Sequence, residues 1–271
     1  MLKRSREGLS IPLDASLYGA LGAGMVARDA VTEYLNCECV MAFFTTTEDV
    51  EGLLPEGMEL AAKPPNAAIF IAHYPFSTLG PYYEMFTLIQ VDFEGELAYY
   101  LPYIYVDNDA AMAGGREVVG APKKFAKMGI VKYNDLVMGY LERPPGKRLL
   151  SITIKPEQRI PDAMVEAFLQ EATPIYSIRL LPPIEGGDGL AQLVKWYGYI
   201  RLHEDDEERV TYHHVKLGTK RIWGGETTVL YDSPSLSDPV HKIEVKDVLL
   251  GAYMQYDMGL RPDKVVKEWR L

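Results

Sequence analysis

The most informative stretch of this sequence is Gly115-Arg116-Glu117-Val118-Val119-Gly120-Ala121-Pro122-Lys123-Lys124-Phe125. It places two adjacent lysines behind a proline, in a segment that is otherwise mainly apolar or glycine-rich. A lysine is costly to hold in apolar surroundings unless its amine loses the proton. Because a neutral lysine amine attacks carbonyl carbon, the segment suggests Schiff-base chemistry. A Pro-Lys-Lys triplet alone is more often a solvated turn, so its neighbours must decide between the two interpretations.

The composition of the 271-residue chain is typical of a globular protein, with 48% hydrophobic and 24% charged residues. We find no repeat and no clear linker, and we predict one domain over residues 1–271. The formal net charge of −10 argues against nucleic-acid binding, which requires a basic surface. No apolar signal segment follows the basic start, and no run approaches the ~20 apolar residues of a membrane span. We therefore expect a cytoplasmic protein with no membrane partner.

Most of the sequence has the pattern of short strands. The candidate segments are rich in β-branched, aromatic and apolar residues and are bounded by Gly, Pro, Asp or Asn. They lie at residues 38–46, 67–74, 83–93, 96–106, 130–133, 136–141, 149–154, 175–181, 190–202, 209–217 and 226–231. Because these strands do not alternate regularly with helices, we predict an α+β protein with a mainly antiparallel barrel or curled sheets.

Helical patterns are fewer than strand patterns. Residues 47–54 carry acids in the first turn behind a threonine N-cap, and residues 161–173 begin with a proline. Apolar residues recur at helical spacing over residues 245–256, which predicts a third helix. Residues 262–269 are expected to add one or two further turns. We expect these short helices to flank the sheet.

Four patterns that can indicate ligand binding have simpler explanations here. The glycines at residues 19–24 lack the preceding strand of a dinucleotide site, and we expect residues 1–30 to be a loosely ordered or oligomer-contacting segment. Cys37 and Cys39 lack a second pair at zinc spacing, so we expect buried, reduced thiols, and the five histidines show no ligand spacing. The acidic run at residues 204–208 is most simply a solvated hairpin loop. The sequence predicts no metal and no cofactor.

Several stretches, in order with the lysine segment, resemble the acetoacetate decarboxylase superfamily. The landmarks are Leu53-Leu54-Pro55-Glu56-Gly57, Leu79-Gly80-Pro81-Tyr82-Tyr83-Glu84, Asn108 through Glu117, Pro122-Lys123-Lys124, Pro174 through Pro182, and Gly225 through Asp232. The resemblance covers roughly residues 35–260. It implies a barrel- or cone-like fold with short flanking helices, a homo-oligomer, and catalysis on a small keto acid without a metal or organic cofactor.

The resemblance assigns roles to two residues. In that family the first lysine of the pair forms the Schiff base, which corresponds to Lys123, and an active-site glutamate corresponds to Glu84. A carboxylate near the iminium can orient the substrate or relay a proton. In an extended segment Lys123 and Lys124 point to opposite faces, so only one of them can enter a cavity.

Five further residues are candidates for the pocket or for substrate binding, namely Lys124, Arg116, Glu117, Tyr253 and Gln255. Lys124 points to the face opposite Lys123, so a surface or oligomer contact fits it better than a place in the pocket. Arg116 and Glu117 belong to the Gly-Arg-Glu landmark and are expected to form a structural ion pair along the pocket wall. Tyr253 and Gln255, with the neighbouring Tyr256, would lie over the site, and a core position for the two tyrosines is the alternative.

The sequence also departs from that family. The acetoacetate decarboxylases proper place an arginine near Asn36 and a second glutamate near Ile69, and neither charge is present. Ala121 replaces the aromatic residue that often precedes the proline, which would enlarge the cavity. These differences weaken the case for acetoacetate itself as the substrate.

Three functions remain open at this point. The resemblance implies decarboxylation of a β-keto acid through a lysine imine. The same imine supports aldol condensation or dehydration of a pyruvate-like 2-keto acid, so the lysine alone does not discriminate between these reactions. A catalytically silent member that binds a small apolar ligand is the third hypothesis.

Overall fold

The structure is a computed structural model, and it describes residues 32–161, 173–183, 186–201 and 221–271. Within these ranges the chain is mainly strand with few helical residues. Several sequence predictions lie outside the described residues: the glycines at 19–24, the interior of the helix at 161–173, the acidic run at 204–208 and the strand at 209–217.

The described strands follow one another with mostly short connections. In chain order they are β1 (Thr32–Thr45), β2 (Met58–Leu60), β3 (Asn66–Tyr74), β4 (Phe76–Ser77), β5 (Tyr82–Phe93), β6 (Glu96–Tyr100), β7 (Ile104–Val106), β8 (Lys123–Phe125), β9 (Lys127–Tyr133), β10 (Leu136–Glu142), β11 (Arg148–Ile154), β12 (Gln158–Arg159), β13 (Ile175–Leu181), β14 (Leu190–Arg201), β15 (Arg221–Gly224), β16 (Thr227–Leu230) and β17 (Val248–Arg270).

The helical segments in the described ranges are short. Helix α1 (Asp109–Gly114) is capped by Asn108, whose side-chain oxygen accepts a hydrogen bond from the Ala111 N–H at 2.8 Å. It continues directly as a π-helical segment, Gly115–Val119. Single 3₁₀ segments occupy Glu48–Leu53, as predicted for residues 47–54, and Val240–Lys242. None of these helices is long and apolar enough to cross a membrane.

The larger sheet closes on itself. Strands β1, β3, β5, β6, β13, β14 and β17 are hydrogen-bonded in that order, and β17 pairs back with β1. Neighbours in this ring are antiparallel, except that β6 and β13 run parallel. Closure pairs every strand of the ring on both sides, which removes open sheet edges. The predicted fold class, α+β and mainly antiparallel, is confirmed.

A four-stranded antiparallel sheet, in the order β16-β11-β10-β9, packs against one face of ring strands β1 and β3. The apolar core between the two sheets includes Val40, Ile69, Ile71, Leu150 and Ile152. The opposite faces of β1 and β3 carry a second cluster, which includes Cys37, Cys39, Met41, Ala72 and Tyr74. Both cysteines are buried free thiols, as predicted. The candidate site lies on this second face.

The two C-terminal helix predictions, at residues 245–256 and 262–269, are wrong because most of this region forms the long strand β17. Strand β17 pairs with β1 on one side and with β14 and β15 on the other. Alternate residues on one face are buried, namely Ala252, Met254, Tyr256 and Met258. The helical spacing of other apolar residues concealed this period of two, and cross-strand pairing overrides the local pattern.

The strand predicted at residues 96–106 is divided into β6 and β7. Pro102 lies in the interruption, where its lack of an N–H prevents a continuous hydrogen-bond ladder. The second piece, β7, pairs with the start of β5 and, in parallel, with β8. This division brings β5 and β8 to either side of one short strand and so positions the candidate site.

Candidate active site

Lys123 and Glu84 form a buried ion pair. Lys123 opens β8 and Glu84 lies near the start of β5, with β7 paired to both strands. Lys123 Nζ lies 2.6 Å from Glu84 Oε2, and the two residues are only 6% and 5% exposed. A charge-assisted hydrogen bond of this length aligns the amine with an oxygen that can accept its proton.

The turn before Lys123 makes room for its side chain. The π-helical segment ends at Gly120, whose φ of +74° lies in the left-handed region that favours glycine. A Cβ built on Gly115 would lie 2.5 Å from both Cδ and Cε of Lys123. Arg116 Nη1 donates a hydrogen bond to the Lys123 carbonyl oxygen at 3.2 Å. Two residues of the Gly-Arg-Glu landmark therefore hold the lysine in place, a role that the sequence pattern did not reveal.

Buried tyrosines surround the ion pair. Tyr74 Oη donates a hydrogen bond to Glu84 Oε1 at 3.2 Å, so both oxygens of the carboxylate are engaged. Tyr82 Oη donates to Tyr34 Oη at 3.1 Å, and the Tyr82 ring centroid lies 5.8 Å from Lys123 Nζ. Burial raises the pKa of Tyr74 and of Tyr82 well above the usual value, so both hydroxyls stay protonated.

A small cavity of about 50 Å³ adjoins the lysine amine. A cavity needs about 10–15 Å³ of such volume to hold one water molecule, so this space has room for a small ligand group beside the amine. The described residues that line it are mostly apolar: Thr32, Tyr34, Leu79, Glu84, Ile104, Ala111, Gly114, Gly115, Val119, Ala121, Lys123, Trp196, Leu260, Arg261 and Pro262.

Arg261 is exposed, although it contributes to the cavity wall. Its neighbour Leu260 packs against the apolar clusters around the cavity. Lys123 and Glu84 are the buried charged residues in the described cavity wall, and Arg261 is an exposed one. The described ranges also contain no group of three or more histidine, cysteine or acidic residues that could hold a metal ion.

Comparison with known proteins identifies the family. Residues 22–269 match the family described as acetoacetate decarboxylase (ADC). The chain belongs to this family. Acetoacetate decarboxylase 3 of Mesorhizobium japonicum is 26% identical over 234 residues, which are 85% of this chain and 82% of the relative. Decarboxylase DEC1 of Cochliobolus heterostrophus is 25% identical over 225 residues, which are 81% of this chain and 80% of the relative. The predicted superfamily membership is confirmed.

Solved structures share the fold of this family member. Acetoacetate decarboxylase of Legionella pneumophila has a TM-score of 0.75 and 23% identity, with 88% of both chains covered. The enduracididine biosynthesis enzyme MppR complexed with pyruvate has a TM-score of 0.65 and 19% identity, with 89% of this chain and 92% of that chain covered. Enzymes with different descriptions therefore share this fold.

Three of the pocket residues that the sequence predicted lie beside the cavity and do not form part of its wall. Lys124 points to the opposite face of β8 from Lys123, where its Nζ lies 3.2 Å from Asp238 Oδ1. Arg116 and Glu117 are exposed on the π-helical turn. Arg116 supports Lys123 through its hydrogen bond to the Lys123 carbonyl oxygen, whereas Lys124 and Glu117 take no part in the contact between Lys123 Nζ and Glu84.

The predicted C-terminal residues separate across the two faces of β17. Tyr253 Oη donates a hydrogen bond to Glu38 Oε2 at 2.7 Å, and its ring packs against the core between the two sheets. Gln255 is exposed. Tyr256 lies on the opposite face, in the same buried cluster as Tyr74. The register of β17 therefore brings Tyr256, rather than Tyr253 or Gln255, to the face of the ring that carries the site.

The two positions at which family charges are missing lie outside the described cavity wall. Ile69 is fully buried in the core between the sheets, on the face of β3 opposite Tyr74. Asn36 has a left-handed φ of +60°, and its N–H donates to Asp257 Oδ1 at 2.8 Å. A charge at Ile69 would enter an apolar core instead of the pocket, so its absence there does not bear on the substrate.

Replacing Gly115 with alanine is expected to lower kcat/KM by at least about 100-fold, because the added methyl group would displace Lys123 from its position beside Glu84. Overpacking of this kind costs about 1–3 kcal/mol, so the variant should still fold. Steady-state kinetics and thermal unfolding test this expectation. Gly52→Ala is the matched control, because a Cβ there would meet nothing within 4 Å. An unchanged kcat/KM for Gly115→Ala would show that the position of the Lys123 side chain does not depend on the missing Cβ at residue 115.

Glu38 contacts Tyr253 and two other side chains, on the face of β1 that is directed towards the smaller sheet. Lys132 Nζ donates a hydrogen bond to Glu38 Oε2, and His73 Nδ1 lies 3.6 Å from Glu38 Oε1. Burial by itself would raise the pKa of Glu38, but hydrogen bonds from His73, Lys132 and Tyr253 outweigh it and lower the pKa to about 2. This cluster is a structural tie between strands, separate from the cavity.

Glu38→Gln is expected to destabilise the fold at pH 7 by on the order of 1–2 kcal/mol after allowance for solvent screening. Because the folded-state pKa lies below the ordinary value of 4.5, the ionised Glu38 stabilises the fold above pH 4.5, and this contribution is lost as the pH falls towards 2. Denaturant unfolding from pH 7 to pH 3 should show the gap to wild type narrowing. The exposed Glu59→Gln is the control, and a pH-independent gap would contradict the assignment.

Proposed function

We propose that this protein is a lyase that decarboxylates a β-keto acid through a Schiff base on Lys123, without a metal or organic cofactor. The observation that carries the proposal is the buried 2.6 Å contact between Lys123 Nζ and Glu84 Oε2 beside a mostly apolar cavity. Family relatives that are named as decarboxylases support the same reaction class.

Glu84 prepares the nucleophile in this proposal. Its carboxylate accepts a proton from the Lys123 ammonium, and the neutral amine attacks the carbonyl carbon of the substrate. The resulting carbinolamine takes a proton back from Glu84 and loses its hydroxyl group as water. The product is a protonated imine on Lys123 beside a Glu84 carboxylate, so the charges of the resting pair are restored.

The protonated imine then acts as the electron sink. The bond between the α-carbon and the carboxylate breaks, its electron pair moves towards the imine nitrogen, and CO2 leaves behind a neutral enamine. The enamine takes up one proton from the solvent at carbon, and water hydrolyses the resulting protonated imine to release the ketone and the Lys123 ammonium. Because an iminium and a carboxylate become two neutral products, an apolar cavity favours this step relative to water.

The second candidate function is aldol condensation or dehydration of a pyruvate-like 2-keto acid. It is supported by the similar fold of MppR, whose structure is described as complexed with pyruvate. An imine on Lys123 would serve both reactions, but a 2-keto acid keeps its carboxylate throughout the condensation. The apolar character of the described cavity wall therefore favours the β-keto acid, whose carboxylate is lost.

Release of carbon dioxide from carboxyl-labelled β-keto acids tests the proposal. The protein is incubated with carbon-13-labelled acetoacetate and with a longer homologue, and the labelled CO2 and the ketone are followed by NMR. Parallel reactions contain pyruvate with an aldehyde. CO2 release above the spontaneous rate is the expected result, whereas condensation of pyruvate without CO2 release would favour the second function. Turnover of neither class would contradict both.

A further inference from the structure

Tyr34 is a cavity-lining hydroxyl residue that the mechanism above does not use. It lies near the start of β1, is 1% exposed, and lines the cavity together with Lys123 and Glu84. Its ring packs against two further tyrosines, with centroid distances of 4.8 Å to Tyr74 and 6.2 Å to Tyr82. The side chain is therefore fixed by packing on the same face of the sheet as the ion pair.

The hydrogen bond from Tyr82 orients the Tyr34 hydroxyl. Tyr82 Oη is the donor and Tyr34 Oη the acceptor, at 3.1 Å. A tyrosine hydroxyl has one proton to donate, and acceptance of a hydrogen bond occupies a lone pair of its oxygen. The Tyr82 contact therefore leaves the Tyr34 proton available for another acceptor. Burial, with a further contribution from the Glu84 carboxylate, raises the pKa of Tyr34, which keeps this proton in place at neutral pH.

We propose that Tyr34 donates a hydrogen bond to the carboxylate of the keto acid bound at Lys123, an inference that rests on the function proposed above. Glu84 repels a carboxylate, Lys123 is occupied by the imine, and Arg261 lines the cavity but is exposed to solvent. Of the other described lining residues, Thr32 and Tyr34 carry hydroxyl groups, and ring packing with a hydrogen bond from Tyr82 holds the Tyr34 hydroxyl near Glu84. Tyr82 is its positioning residue.

A neutral donor suits a carboxylate that must leave. A cation paired with the carboxylate would stabilise the bound substrate more than the transition state, because the negative charge moves away from the carboxylate as CO2 forms. A single hydrogen bond from a tyrosine also fixes the orientation of the carboxylate, but it stabilises the bound substrate less than a cation would. The proposed arrangement therefore combines a neutral donor at the carboxylate with a mostly apolar wall around the rest of the substrate.

Tyr34→Phe tests the inference, because it removes the hydroxyl and keeps the ring. Two quantities are compared: KM for decarboxylation of acetoacetate, and the acetone concentration that half-saturates borohydride trapping of Lys123. A hydrogen bond to a charged group predicts a rise in KM of about 10- to 100-fold. Acetone has no carboxylate to accept a hydrogen bond from Tyr34. Its half-saturating concentration should therefore change by less than about twofold. Tyr105→Phe is the control, because its buried hydroxyl donates to Asp238 Oδ1 away from the cavity.

The results separate this inference from the function on which it rests. A selective rise in KM for acetoacetate supports the role of Tyr34. Equal losses with acetoacetate and acetone, or no change with either, overturn that role while the Schiff-base function stands. A wild-type protein that traps neither carbonyl compound overturns the proposed function and this inference together. A smaller but still acetoacetate-selective effect in Tyr82→Phe is the expected result for a positioning residue.

Discussion

Lys123→Arg is expected to abolish turnover of a β-keto acid, with kcat/KM lowered by at least about 10,000-fold. Arginine retains the positive charge beside Glu84, and its larger side chain costs about 1–3 kcal/mol of overpacking against Gly115, so the fold should persist with lower stability. Its guanidinium is always protonated and does not attack carbonyl carbon. Steady-state decarboxylation, with thermal unfolding as a check of the fold, measures the effect.

The adjacent lysine provides the comparison for this variant. Lys124 Nζ lies 3.2 Å from Asp238 Oδ1 and also donates to the Ser237 carbonyl oxygen, on the opposite face of β8. Lys124→Arg keeps a cation that can make these contacts, so we expect kcat/KM within about threefold of wild type. A reversed order, with Lys124→Arg inactive and Lys123→Arg active, would contradict the choice of nucleophile.

Glu84→Gln is expected to lower kcat by about 100- to 10,000-fold, the usual contribution of a positioned acid–base group. The amide does not accept the ammonium proton, so the amine beside it is no longer prepared for attack. The substitution also leaves the Lys123 ammonium without its carboxylate partner, and breaking a buried pair in this way costs about 3–5 kcal/mol of stability. Activity and the free energy of unfolding should therefore both fall.

Two further variants separate catalysis from stability at Glu84. Glu84→Asp keeps a carboxylate but shortens the side chain, so it should restore stability more than it restores kcat, because the 2.6 Å contact with Lys123 Nζ opens. The exposed Glu94→Gln, in the hairpin after β5, controls for loss of a negative charge. A kcat for Glu84→Gln within threefold of wild type would show that another group takes the proton.

Local sequence pattern predicted most of the strands because period-two alternation is a local property. The strand predicted at residues 67–74 is β3, and the one at residues 175–181 is β13. The same alternation indicated that Lys123 and Lys124 face opposite ways, and the structure buries Lys123 while Lys124 contacts Asp238. Residue 69 illustrates the limit, because an alignment position alone does not say which face of β3 it occupies.

Long-range pairing explains the predictions that did not hold. The C-terminal region contains apolar residues at helical spacing, and only its pairing with β1, β14 and β15 makes it a strand. Helix α1 was hidden because six residues are too few to show a helical repeat, although Asn108 supplies its cap. Length and tertiary partners, rather than propensity, decide both cases.

The residues around the ion pair of Lys123 and Glu84 could not be predicted from the sequence for the same reason. Tyr34 and Tyr74 come from β1 and β3, far from Lys123 in sequence, and only the sheet register brings them beside Glu84. Gly115 belongs to a recognisable landmark, yet its fit against the Lys123 side chain is a property of the folded turn. Tyr253 and Tyr256 looked equivalent in sequence, and the faces of β17 separate them.

Borohydride reduction followed by peptide mapping tests the central claim most directly. The protein is incubated with acetoacetate or a longer β-keto acid, reduced, digested and analysed by mass spectrometry, with Lys123→Arg treated in parallel. We predict one covalent adduct on Lys123, none on Lys124, and none in the Lys123→Arg variant. An adduct on another lysine, or no adduct with any keto acid in the wild-type protein, would contradict a Schiff base on Lys123.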